Sequence, residues 1–140
     1  MVAIDEDKTT IHITRGDKTN GKFNKLAFYF PIYDVNTGNE DKYQFQLDDK
    51  IDFIIMKKKG YTKEEIFRKT YTIKELGYTE PTYYPEIPLT AEDTKKFELL
   101  NKQKTYWYDL VLNDDTTILG YDEDGAKQII VYPEGGEWWN

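Results

Sequence analysis

A nine-residue stretch constrains this chain more than any other. Between Lys104 and Leu112, Tyr106, Tyr108, Leu110 and Leu112 fall on alternate positions, with Trp107, Asp109 and Val111 between them. A period of two is that of a β-strand, whose successive side chains point to opposite faces. A helix would scatter those four side chains around its circumference. The same alternation appears at residues 10–14, through Ile11 and Ile13, and again at 43–47. Residues 26–33 alternate in part, and Pro31, with no N–H to donate, puts that strand at an edge or a bulge. The run 51–57 is more continuously apolar and short enough for a buried strand. Residues 66–73, 116–121 and 128–132 complete about eight strands, separated by clusters rich in Gly, Asp, Asn and Lys.

Composition agrees with that pattern. There are 12 Tyr, 7 Phe and 3 Trp, residue types that suit a pleated, half-buried surface. Alanine occurs only at positions 3, 27, 91 and 126, too sparse for a helical bundle. So many tyrosines point to rings that bury their carbon face while the hydroxyl finds a polar partner. One helix is signalled, beginning at Thr90 with Asp93 three residues on as a capping box, then Phe97 and Leu100 on one face, and Asn101 as its end. Between Gly77 and Pro88, three prolines and Tyr78, Tyr83 and Tyr84 predict an extended loop. Residues 61–65 read as a helical turn.

The expected organisation is one mainly β domain, an immunoglobulin-like β-sandwich with one short α-helix, over residues 10–133. It is flanked by a flexible N-terminal arm, residues 1–9, and an aromatic C-terminal tail, residues 134–140. At 140 residues the chain suits a single core.

Several functional classes are disfavoured. There is no cysteine, which removes disulfides, thiolate metal sites and cysteine nucleophiles. His12 is the only histidine, too few for a histidine-rich metal site. A net charge of −7 argues against non-specific nucleic-acid binding. No apolar run reaches the length of a membrane span, and the acidic start has no signal-peptide core. No phosphate loop or nucleophile elbow is present. With 26 Asp and Glu, nothing singles out a hydrolytic carboxylate pair. The expectation is a non-enzyme with no cofactor and no metal. Asp122-Glu123-Asp124-Gly125 imitates only the start of a calcium loop.

Two short motifs have ordinary explanations. Arg15-Gly16-Asp17 is the tripeptide that integrins read, and it is also a turn between strands. Lys57-Lys58-Lys59, with Lys63 and Arg68, forms a basic patch that could meet an acidic partner or blunt a hairpin edge. The candidate partner contacts are aromatic. Trp138 and Trp139 follow a Gly135-Gly136 pair, and tryptophan is enriched in interface hot spots. Tyr78, Tyr83 and Tyr84 sit in the proline-rich loop.

The chain resembles a family of small bacteriophage virion proteins found in tail and baseplate modules. The resemblance lies in Ile11-His12-Ile13-Thr14-Arg15-Gly16-Asp17, which is similar to their I-x-I-T-R-G-D start. It continues in Leu47 to Phe53, where Asp48-Asp49 replaces the usual Gly-Asp, and in Ile87 to Thr94, similar to I-x-L-T-x-E-D-T. Tyr106 to Leu112, Thr117 to Lys127 and Val131 to Gly135 close the pattern, which covers roughly residues 10–136. The resemblance implies an immunoglobulin-like sandwich acting as a virion structural protein, made in the host cytoplasm. Its partners would be other virion proteins and copies of itself. A capsid head-fibre or decoration protein is one alternative; a carbohydrate-binding module for a host surface glycan is another. The resemblance carries no catalytic residue.

Overall fold

The structure is a computed structural model that describes residues 2–5, 9–19, 26–28, 30–33, 36–57, 64–98, 101–120 and 125–134. Among them the protein is mainly β. The strands are β1 (Val2–Ile4), β2 (Ile11–Thr14), β3 (Pro31–Tyr33), β4 (Glu40–Lys42), β5 (Lys50–Met56), β6 (Glu65–Thr72), β7 (Lys104–Leu112), β8 (Thr116–Leu119) and β9 (Lys127–Tyr132). A single turn of helix, α1 (Ala91–Thr94), lies between β6 and β7.

The main sheet is mixed and runs β1-β2-β9-β7-β5-β6, with β8 also on β7. Its spine is β7. One edge pairs with β5 along most of its length; the other pairs with β9 through Tyr108 and then with β8 from Leu110 onward. Among the described strand pairs, only β2 and β9 are parallel. The alternation read from the sequence is realised in β7: Tyr106, Tyr108, Leu110 and Leu112 are buried and the residues between them are half-buried. The ladders place Ile51 beside Leu112, Phe53 beside Leu110 and Ile55 beside Tyr108. Across the other edge Tyr106 faces Ile129, which in turn faces Ile11. The result is one continuous apolar face, and each ring or branched side chain removed from water contributes about 2 kcal/mol.

The layer that covers this face is less regular. Leu26, Phe28, Phe45, Ile73, Ile87, Leu89 and Phe97 complete the core cluster, and all but Phe97 come from segments preceding the helix. They are held by isolated bridges, Ala27 to Glu86 and Phe45 to Thr82, and by the small β3-β4 ribbon. Two expected strands therefore change form. Among the described residues of 26–33, Ala27 makes an isolated bridge to Glu86, and a continuous ladder runs only from Pro31 to Tyr33, in an edge ribbon that needs no N–H from proline. Residues 43–47 keep their alternation, with Phe45 fully buried and Tyr43 and Leu47 half-buried, but not a continuous ladder.

The buried tyrosines satisfy their hydroxyls on the backbone. Tyr108 donates to the carbonyl of Thr9, and Tyr106 accepts the N–H of Glu98 at 3.0 Å. The N-terminal arm is a correction. Val2–Ile4 forms an antiparallel edge strand on β2, and Val2 and Ile4 pack against the core. The apolar run Val2-Ala3-Ile4, followed by Asp5-Glu6-Asp7, is too short a pattern to read as a strand. Of residues 61–65, those at 61–63 lie outside the described residues, and Glu65 begins β6 rather than ending a helical turn.

The helix starts as expected and stops early. Thr90 Oγ1 accepts the N–H of Asp93, and the Asp93 carboxylate accepts the N–H of Thr90. After Thr94 the backbone tightens from i→i−4 to i→i−3 bonds, Lys96 N–H to Asp93 O and Phe97 N–H to Thr94 O, and Arg15 takes the carbonyls beyond. Arg15 donates through Nε to Phe97 O and through Nη2 to Lys95 O, both at 2.9 Å, while Phe97 turns into the core. Around this point residues 15–19 and 87–97 lock together. Gly16 N–H donates to Thr94 Oγ1, which donates on to Asp17 O. Thr19 Oγ1 accepts the N–H of Leu89 and donates to Ile87 O, in a site where Thr19 is 2% exposed. Lys69 of β6 closes the lock with a 3.0 Å ion pair to the buried Asp93.

Candidate contact surface

Most of the tyrosine-rich loop is built from its own backbone and one brace. Thr82 exchanges two backbone hydrogen bonds with Phe45, at 2.7 and 3.0 Å, which anchors the loop to the core layer. Tyr78 then spans it. Its hydroxyl accepts the N–H of Glu86 at 3.0 Å and donates to Tyr84 O at 3.4 Å. The N–H of Tyr84 donates to Thr82 Oγ1. The prolines at 81, 85 and 88 fix φ between these points.

The braced turn holds Tyr83 and Tyr84 outward, 44% and 46% exposed. With Ile32 of β3, at 43%, they are the exposed large hydrophobic residues among those described. Lys42 of β4 reaches the Tyr84 hydroxyl, its Nζ 4.9 Å from the ring centroid. Because the ammonium is bonded to the hydroxyl, it sits at the polar end of the ring rather than over its face. Ile32 and Lys42 occupy adjacent pair positions of the ribbon, so their side chains leave it on opposite sides. The exposed cluster is therefore Tyr83, Tyr84 and Lys42, with Ile32 on the other side of the ribbon.

The structure thus separates the sequence candidates. Tyr83 and Tyr84 form the surface, and Tyr78 is the half-buried brace beneath it. Trp138 and Trp139 lie outside the described residues, as do Lys58, Lys59, Lys63 and Asp122 to Asp124. Sequence reasoning missed Lys42, because 42 residues separate it from Tyr84 and only the ribbon brings them together. It also missed Ile32, which the pattern assigned to a strand without saying which face was outward.

The Arg15-Gly16-Asp17 turn does not present its arginine. The Arg15 side chain is 16% exposed and engaged by two carbonyls and the Glu134 carboxylate. Gly16 has φ +88, and a Cβ there would stand 2.5 Å from Glu134 Oε1. The packing uses both the arginine side chain and the glycine's left-handed backbone.

The buried carboxylates are also engaged internally. Asp49 is pushed up by burial, but hydrogen bonds from Asn113, Tyr43 and the Gln46 N–H outweigh this and hold it below its ordinary range. The same bond, with burial, lifts Tyr43 to about 12. Burial raises Asp93 too, and is outweighed by the Thr90 N–H and Lys69. Asp52 accepts from the Thr70 hydroxyl. Among the described residues no group of three or more His, Asp or Glu is arranged to hold a metal ion, and no helix is long and apolar enough to cross a membrane.

Comparison with protein-family models, with curated proteins and with solved structures gives no match for this chain.

Proposed function

We propose that this chain is a non-enzymatic structural protein of a bacteriophage virion, assembling through protein contacts in the tail or baseplate region. The observation that carries the contact part is the exposed pair Tyr83 and Tyr84, of which Tyr84 is pinned at its backbone by Thr82 and Tyr78 and at its hydroxyl by Lys42. Aromatic side chains held rigid before binding lose little entropy on docking, which suits an interface anchor. The virion part rests on the sequence resemblance. Two of its motifs, the I-T-R-G-D start and the L-T-x-E-D-T helix start, meet in the lock between residues 15–19 and 87–97, which gives their residue types a shared physical reason.

The finer fold reading is an immunoglobulin-like sandwich. The antiparallel order β9-β7-β5-β6 supports it, since it is the order of strands G, F, C and C′ in a variable-type sheet. The bridged segments around residues 27, 45, 82 and 86 would stand for the second sheet.

The test replaces Tyr83 and Tyr84 by Ser and measures mass by light scattering over a hundredfold concentration range. Loss of a concentration-dependent oligomer, with the thermal midpoint unchanged, supports the reading. An oligomer identical to the parent's counts against the tyrosine pair as the contact. The same pair would also serve a host-glycan module, where a ring stacks on a sugar and Lys42 supplies a donor. Tyrosine fluorescence that responds to cell-wall glycan, in a protein that stays monomeric, would favour that reading.

A further inference from the structure

The strand registers sort the charged side chains to two opposite ends of the main sheet. At the end where β5 finishes and β7 begins, Lys57 and Lys104 converge on the single carboxylate of Glu98, at 2.9 and 2.8 Å. Their hydrogen bonds hold Glu98 below its ordinary range. Arg15 and Lys102 line the same shallow depression beside Glu98 and Lys104. Glu134 pairs with Arg15, so four cations there face two carboxylates; Lys95 and Glu64 alongside add one charge of each sign. This end is net positive in a chain of net charge −7.

The opposite end, where β5 begins and β7 turns into β8, is net negative. The β7-β8 turn presents Asp114 and Asp115, and the turn before β5 presents Asp48, all three exposed. Lys50 pairs with Asp114, while Lys74 and Glu75 offset each other. The tip is rigid. Asn113 and Asp114 hold left-handed φ of 53 and 64, and the Asn113 side chain ties Asp49 to the N–H of Lys50. The seven residues of β5 set the two ends about 20 Å apart.

We infer that copies of this chain stack end to end, the Lys57/Lys102/Lys104 end of one against the Asp48/Asp114/Asp115 end of the next. This rests on the assembly reading above and names its partner and direction. The occupant is a second copy because both complementary surfaces belong to one rigid sheet. At about 0.1 M salt, charges farther apart than about 10 Å are screened. The overall negative charge is then muted while contacting pairs persist. Such a contact is heterologous: it closes a ring or extends a fibre.

The experiment is a charge swap. Lys102→Glu with Lys104→Glu makes both ends acidic. Asp48→Lys with Asp115→Lys makes both basic and leaves the strained Asp114 untouched. Masses are measured at about 0.1 M and 0.5 M salt for the parent, for each variant alone and for their mixture. The expected result is a parent that self-associates at the lower salt, with at least tenfold weaker association at the higher. Each variant alone should be monomeric, and the mixture should co-assemble. Variants that associate alone as the parent does would overturn the inference, and so would a parent that is monomeric at about 0.1 M. If a variant does not fold, the parent's salt response decides. Association insensitive to salt but lost with Tyr83→Ser and Tyr84→Ser would overturn the end-to-end contact and leave the tyrosine contact standing.

Discussion

Two polar regions of this protein are built from similar residue types and do opposite things. Residues 15–19 and 87–97 bring Arg, Thr, Asp and Lys together and bury them, with each group answered by another. The tyrosine turn and the β3-β4 ribbon bring Tyr, Lys and Thr together and leave them in water. In the first, a lost partner strands a group where water cannot reach it. In the second, water replaces what is lost. The first region should therefore govern stability and the second association.

The largest effect should come from Asp93→Ala, which removes the carboxylate half of the capping box and leaves Lys69 without its carboxylate. A loss of about 3 kcal/mol in urea unfolding is expected. A loss under about 1 kcal/mol would make the lock incidental. Its pH dependence follows the same logic. Asp93 and Asp49 have lowered pKa values in the folded state, so their stabilisation is present above the ordinary carboxylate range. It should fade as pH falls below about 4, and Asp93→Asn should flatten that acid limb in a pH series of thermal midpoints. Thr19→Val comes next. It keeps the shape but orphans the N–H of Leu89, at a cost of about 2 kcal/mol by the same urea measurement. Gly16→Ala should cost about 1 kcal/mol, because alanine disfavours φ +88 even if Glu134 moves. The smallest change in stability belongs to the other region. Tyr83→Ser should shift unfolding by under about 0.5 kcal/mol. A large loss there would erase the contrast.

Local chemistry was legible where one segment carries its own reason. The alternation of β7, the start of α1 at Thr90 and the exposed tyrosines could be read without partners. Tyr78 was singled out with Tyr83 and Tyr84 because loop membership is local, whereas its bracing role depends on where Glu86 and Tyr84 fold back. Arg15 was read as part of a turn. Its capture of Lys95 O and Phe97 O, just past the helix, joins segments 80 or more residues apart.

Side-chain period and capping act over a few residues, so the mainly β character, the face of Tyr, Phe, Ile and Leu and the capped helical start are all written in local sequence. Long-range pairing, by contrast, made β2 run parallel to β9 and held the second layer by bridges rather than a full ladder. The same pairing set Lys42 beside Tyr84 and gathered Lys57, Lys102 and Lys104 at one end of the sheet and Asp48, Asp114 and Asp115 at the other. Those outcomes depend on strand register and long-range hydrogen bonds, which become defined only when distant segments share one core.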